Sequence, residues 1–354
     1  MVERSNAFRG KGRFAMKGRR WVVAGLLAAA AAAGAMPAAA QGVADLARKE
    51  GKVVWYSSLA LDLSQKICNT FTQRHPGVTC ELMRTGSERI FQRVMQETKA
   101  NLAIADVVHT SDAAHFLDFK SKGMLQAYQP AGMEHIRADF KDPEGTFITL
   151  RGTPYIIAYN TRLIAKEQAP RRWKDLLDPK WRGKIAHGHP GYSGVVTTGM
   201  VGILAKYGWE YYAALAKNQP VLGQSAEDPP VKVAGGEGLV GVSGEYNFFK
   251  AKQKGNPIEI VFPEDLVPFV NSPVALLKRS PHPNAAKLFM DYIFGKEAQQ
   301  FMADDGVTVV NDAVAYPAGK TAPKDIKNVM VPDAREVLKL NEEIKVKFRE
   351  LFGV

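Results

Sequence analysis

The chain has 354 residues with 47 Lys and Arg against 36 Asp and Glu, a net charge of +11, and 46% apolar residues. Residues 1–40 carry seven of the basic side chains and Glu3, so 40 basic against 35 acidic groups, net +5, belong to the rest. That remainder has no Lys/Arg-rich run interleaved with aromatics, which argues against a nucleic-acid partner, and it is long enough for two lobes of roughly 150 residues each.

At the N-terminus, Lys17, Arg19 and Arg20 precede the apolar stretch Trp21 to Gly34, and Pro37 precedes Ala38-Ala39-Ala40. The pattern predicts a cleaved signal peptide over 1–40, a mature start at Gln41 and a periplasmic location, because the apolar core is shorter than the roughly 20 residues of a spanning helix. Arg19-Arg20 followed by Trp21-Val22-Val23 suits either a twin-arginine or an ordinary Sec signal, and the choice stays open. No cysteine stands near the cleavage site to take a lipid.

Downstream, apolar runs alternate with amphipathic ones. Strands are expected over 52–57, 78–83 and 107–110, and helices over 64–74 and 87–99. Each strand ends in a polar loop, Ser57-Ser58, Thr85-Gly86-Ser87 and Thr110-Ser111-Asp112. In an open α/β sheet, ligands sit beyond the carboxyl ends of the strands, so these loops form half of a candidate site. Cys68 and Cys80 are the only cysteines. An oxidising compartment and an even count favour a disulfide over a reduced buried pair, and His75 between them does not complete a zinc site.

Residues 151–160 read as a strand leaving the first lobe. A second αβ pattern follows: a strand at 184–186, helices over 193–207 and 209–217, and strands over 239–243 and 267–277. Helices over 284–294, 296–304 and 334–351 complete it. No Pro/Ser-rich linker separates two beads, so the order favours an α/β clamshell of two lobes joined by two crossing strands. Tyr211-Tyr212 reads as core packing, His187 and His189 as loop surface, and Gly235-Gly236-Glu237-Gly238 as a turn before a strand. No Gly-x-Ser-x-Gly, His-Glu-x-x-His or cysteine-nucleophile pattern occurs, so no enzyme activity and no cofactor are expected.

Several segments together carry a resemblance: Gly51-Lys52-Val53-Val54-Trp55-Tyr56-Ser57-Ser58, Pro76-Gly77-Val78, Arg84-Thr85-Gly86-Ser87, Ala105-Asp106-Val107, Trp181-Arg182-Gly183-Lys184-Ile185 and His282-Pro283-Asn284-Ala285-Ala286-Lys287. The chain resembles, over essentially all of its mature length, the periplasmic solute-binding subunits of ABC importers in the subgroup of the ferric-ion-binding proteins. The resemblance implies a type II periplasmic-binding fold, with 41–151 and 271–320 as lobe 1, 152–270 as lobe 2, and 321–354 as a C-terminal helical segment packing across both. It also implies a monomer that closes on a small solute and delivers it to an inner-membrane permease.

The family's iron ligands do not carry over. Its histidine falls at Ala60, its glutamate at Ser111 and its tyrosine pair at Glu245-Tyr246, which leaves Tyr246 with Glu245, and Asp62 or Asp112 as replacements. Its anion position at a helix start matches Ser193-Gly194, within Gly191-Tyr192-Ser193-Gly194. The expected ligand set is therefore Ser57, Ser58, Thr85, Ser87, Ser111 and Asp112 from one lobe, with Tyr192, Ser193, Gly194, Glu245, Tyr246 and Asn247 from the other. Glu245 is expected to face an ammonium or hydroxyl of the solute. The expected cargo is a small organic anion or zwitterion. The alternatives are a ferric ion on an altered ligand set and, further off, an exported α/β enzyme.

Overall fold

In the computed structural model, Lys52–Ser57 (β1) is flanked by Ala38–Glu50 (α1) and Leu61–Arg74 (α2), followed by Thr79–Arg84 (β2) and Ser87–Lys99 (α3). The structure describes residues 38–133, 136, 138–311 and 313–354. The expected signal lies outside the described residues except for Ala38–Ala40, the first turn of α1. Residues 42–354 form one compact unit. Among the described residues no helix is long and apolar enough to cross a membrane.

β1 is buried along nearly its whole length, as a parallel strand covered by helices on both faces should be. α2 directs Leu63, Ile67 and Phe71 into the core at four-residue spacing, and Phe71 meets the Phe289 ring edge-on at 5.1 Å. Cys68 on the same face is bonded to Cys80 on β2, with 5.1 Å between their Cα atoms. Val107–His109 (β3), Ala113–Ser121 (α4) and Leu125–Gln126 (β4) continue this half.

Ile148–Asn160 (β5) then leaves it. The strand is buried at every position and is longer than the sequence suggested, starting three residues before Arg151. The second half contains Ile185–Gly188 (β6), Gly194–Lys217 (α5), Val221–Gly223 (β7), Asp228–Gly235 (α6), Val240–Gly244 (β8), Glu245–Gln253 (α7) and Ile258–Val261 (β9). The two helices expected over 193–217 are one span broken at Gly208, whose φ of 66° ends the first helical run. Helix α6 and helix α7 were not anticipated, because each is short and neither has a wide apolar stripe.

The chain returns through Val267–Leu277 (β10) to Pro283–Phe294 (α8), Lys296–Asp304 (α9) and Thr308–Val309 (β11), then Val329–Met330 (β12) and Ala334–Phe352 (α10). The main strand order is β2-β1-β3-β10-β5-β8-β6-β7. β5 and β10 run antiparallel in the middle, β5 pairing with β10 through Ile148–Pro154 and with β8 through Tyr155–Tyr159. These are the two crossing strands of a two-lobed fold.

Each lobe has its own core. One gathers around Trp55, Phe71 and Phe289; the other gathers around Tyr155, Trp173 and Tyr212. Tyr211 and Tyr212 are both buried there, as core residues. Helix α10 contributes Val337, Ile344 and Phe348 to that second core, where Ala114 of α4 also sits. His187 departs from expectation: it is inside, on β6, with Nδ1 2.7 Å from its neighbour's carbonyl, and burial lowers its pKa to about 4.

Candidate ligand-binding cleft

The carboxyl ends of β1, β2 and β3 face the start of α5 across a narrow gap. A Cβ on Gly86 would lie 2.7 Å from the Tyr192 carbonyl oxygen, and one on Gly194 2.6 Å from that of Ser111. Gly194 is thus a point of contact between the lobes, closer than any side chain allows. Beside these contacts lies a cavity of about 280 Å³. Ser58, Thr85, Ser87 and Ser111 line it from the first lobe, and Tyr192, Ser193 and Asn247 from the second.

These groups are held by their local structure. Ser87 opens α3, and its hydroxyl meets that of Ser111 at 2.7 Å while accepting from the Ser111 amide at 3.1 Å. Ser193 is the N-cap of α5 but makes no side-chain cap bond to its own helix. The Ser58 hydroxyl is buried without a partner. Two long helices from opposite lobes, α3 and α5, therefore begin at one cavity, and their free amides favour negative charge there.

The remaining expected residues lie elsewhere. Ser57 is fully buried beneath the loop, sharing a hydrogen bond of 3.1 Å with His109 Nδ1 and accepting from the Leu59 amide. Asp112 caps α4 by accepting from the Ala114 amide at 2.8 Å. It sits 3.7 Å from His115 Nε2, which meets Glu88 at 3.0 Å. Glu88, Asp112 and His115 resemble a metal ligand set, yet the Lys345 ammonium, 2.8 Å from Glu88, already supplies the cation.

Glu245 and Tyr246 do not line the cavity. Glu245 is paired with Lys320, both buried, so no free carboxylate there meets a solute. Burial raises the Glu245 pKa and lowers that of Lys320, each opposed by the other's charge. The Tyr246 hydroxyl donates to Asp305 at 2.7 Å, and burial pushes its pKa up, against phenolate formation. Ala60 and Ser111 line the cavity, but neither offers a hard anionic oxygen. Asp62 lies in the exposed first turn of α2. The donor set does not match a ferric site.

What the sequence reading missed is basic. Arg151, inside β5, is only 5% exposed and lines the cavity. Its Nη1 donates to Thr153 at 2.7 Å, and its Nε has no partner. Burial lowers its pKa to about 10, so it stays charged at neutral pH, with the Glu227 charge supporting and that of Arg84 opposing. A charged residue inside an otherwise buried strand was the available signal, because buried arginines are seldom found without a job. Arg84, Arg89, Glu227 and Asp228 complete the charged lining.

A polar cavity closed between two αβ lobes on crossing strands defines a ligand-trapping receptor. The chain belongs to the bacterial extracellular solute-binding protein family, whose model matches residues 98–328. An uncharacterized protein of Haemophilus influenzae is 25% identical over 283 residues, covering 77% of this chain and 81% of that protein. The Fe(3+)-binding periplasmic protein of Serratia marcescens is 22% identical over 306 residues, 82% and 86% of the two chains. Among solved structures, the periplasmic binding protein AfuA of Actinobacillus pleuropneumoniae, with fructose-6-phosphate bound, aligns with a TM-score of 0.78. It is 24% identical, covers 86% of this chain and 99% of its own, and shares the fold.

Proposed function

We propose that this chain is the periplasmic receptor of an ABC importer, exported by its N-terminal signal and cleaved before Gln41, and that it traps a small organic anion or zwitterion for an inner-membrane permease. The observation that carries the ligand class is Arg151, a buried guanidinium with an unpartnered Nε on the wall of a cleft where two helices begin. Leaving such a charge uncompensated is costly, and an anionic ligand offsets that cost on closure. A volume of about 280 Å³ suits a small metabolite and not a peptide. Asp228 also lines the cavity; its Oδ2 accepts from the Ser225 amide at 2.8 Å, and its other oxygen is offered to a hydroxyl or ammonium of the same solute. The phosphate ester bound by the Actinobacillus protein belongs to this chemical class. The reading is of a binding protein, not an enzyme.

Thermal-shift screening of phosphate monoesters, phosphonates, amino acids and carboxylates tests it. A hit is expected among the anions, and Arg151→Met should abolish its stabilisation while the protein stays folded. A panel without hits, or a hit indifferent to Arg151→Met, overturns the reading. Intact mass of exported protein should start at Gln41.

A further inference from the structure

Arg84 and Glu227 form an ion pair between the end of β2 on one lobe and the loop before α6 on the other, at the cavity wall. The two partners are unequal. Arg84 is held in place, its Nε donating to the Leu59 carbonyl at 2.9 Å with 22% of its side chain exposed, whereas the Glu227 side chain is 50% exposed. Turning the carboxylate out to water costs little, and withdrawing the guanidinium breaks a backbone hydrogen bond. Arg84 also lies near enough to Arg151 for their charges to repel, and the Glu227 charge acts on Arg151 with the opposite sign.

We propose that Glu227 is a built-in stand-in for the anionic group of the solute: it neutralises Arg84 in the empty cleft and gives up that place when an anion binds. This rests on the reading of the cleft as an anion receptor. Arg84 and Arg151, two of the three arginines that line this small cavity with Arg89, repel each other unless an anion lies between them, and Glu227 supplies a negative charge beside Arg84 when no solute does. A ligand must then outcompete a carboxylate already in place. That favours groups of higher charge, such as a phosphate monoester or phosphonate, over a single carboxylate, as a repulsive element does in specificity.

The opposing idea is a plain latch, in which the ion pair only holds the lobes together. The two differ in sign. Inorganic phosphate is titrated calorimetrically, at fixed ionic strength, into the wild-type protein, Glu227→Gln and Arg84→Gln, with melting curves to confirm folding. Removing the competitor in Glu227→Gln should tighten phosphate binding by about 5-fold, and Arg84→Gln should weaken it by about 10-fold, each within what a close charge pair contributes. Unchanged or weaker binding in Glu227→Gln overturns the stand-in and leaves the anion receptor standing. Absence of phosphate binding in both wild type and Glu227→Gln overturns the anion reading and the stand-in with it.

Discussion

Gly194 at the start of α5 lies against Ser111 at the end of β3 so closely that a methyl group on its Cα would come within 2.6 Å of the Ser111 carbonyl oxygen. Both sides of this contact are main chain, so neither yields by a rotamer change. Gly194→Ala should therefore hold the lobes apart while leaving each lobe's core intact. Small-angle scattering should report a larger radius of gyration than the parent, and the affinity for any solute found should fall at least 10-fold. A variant as compact and as tight as the parent would show that the lobes close elsewhere.

The bond between Cys68 and Cys80 ties the inner face of α2 to β2, across a sequence separation of 12. For a loop this short, loss of the bridge should cost about 2–3 kcal/mol. Chemical denaturation of Cys68→Ala/Cys80→Ala measures it. Intact mass of periplasmic protein alkylated without reductant should show no added label; two labels per chain would mean that the thiols stay reduced.

Iron should bind poorly. Tyr246 is engaged by Asp305, and the three other positions matched to iron ligands hold Ala60, Ser111 and Glu245, the last paired with Lys320. Titration with ferric citrate should give no visible phenolate-to-iron band. A strong band that disappears in Tyr246→Phe would instead mean that Tyr246 leaves Asp305 and turns to the metal.

The node behind the cleft should make stability depend on pH from both sides. Burial opposes the charge on His115, but the Asp112 and Glu88 carboxylates outweigh it and hold the imidazole pKa above its ordinary value. Its contribution is therefore complete below the unfolded value of about 6.5 and is lost as pH rises through the raised one. Glu88, brought down to about 2 against burial by His115 and Lys345, contributes above its ordinary value of 4.5 and loses that contribution as pH falls. His115→Gln should cost on the order of 3 kcal/mol near pH 6 and flatten the fall above neutrality, because it leaves two buried carboxylates facing Lys345. Equilibrium unfolding of both proteins between pH 4 and 9 decides this, and parallel curves would rule the imidazolium out as the source.

Much of the architecture was readable from the chain. Helix α3, strand β10 and helix α9 have the limits that their periodicity predicts. The polar loops after β1, β2 and β3 reach the cleft because a parallel sheet delivers all its carboxyl ends to one edge. The cysteines suggested their pairing because α2 and β2 are adjacent in sequence, so the contact is local.

What the sequence by itself determined, then, was the succession of strands and helices, the disulfide and the edge of the sheet where hydroxyls gather. Only the tertiary structure decided which of those side chains face the cavity. Neighbours such as Ser57 and Ser58, or Ser111 and Asp112, point in different directions, and a short loop has no periodicity from which to read the choice. Glu245 is taken out of the cleft by Lys320, which lies 75 residues further along the chain. Arg151 is brought into it by β5, whose burial pattern looks like plain core until remote elements leave its guanidinium facing an opening. Local preference sets the elements, whereas the environment of a charge is the sum of contacts from distant parts of the chain, and the ligand chemistry depends on that environment.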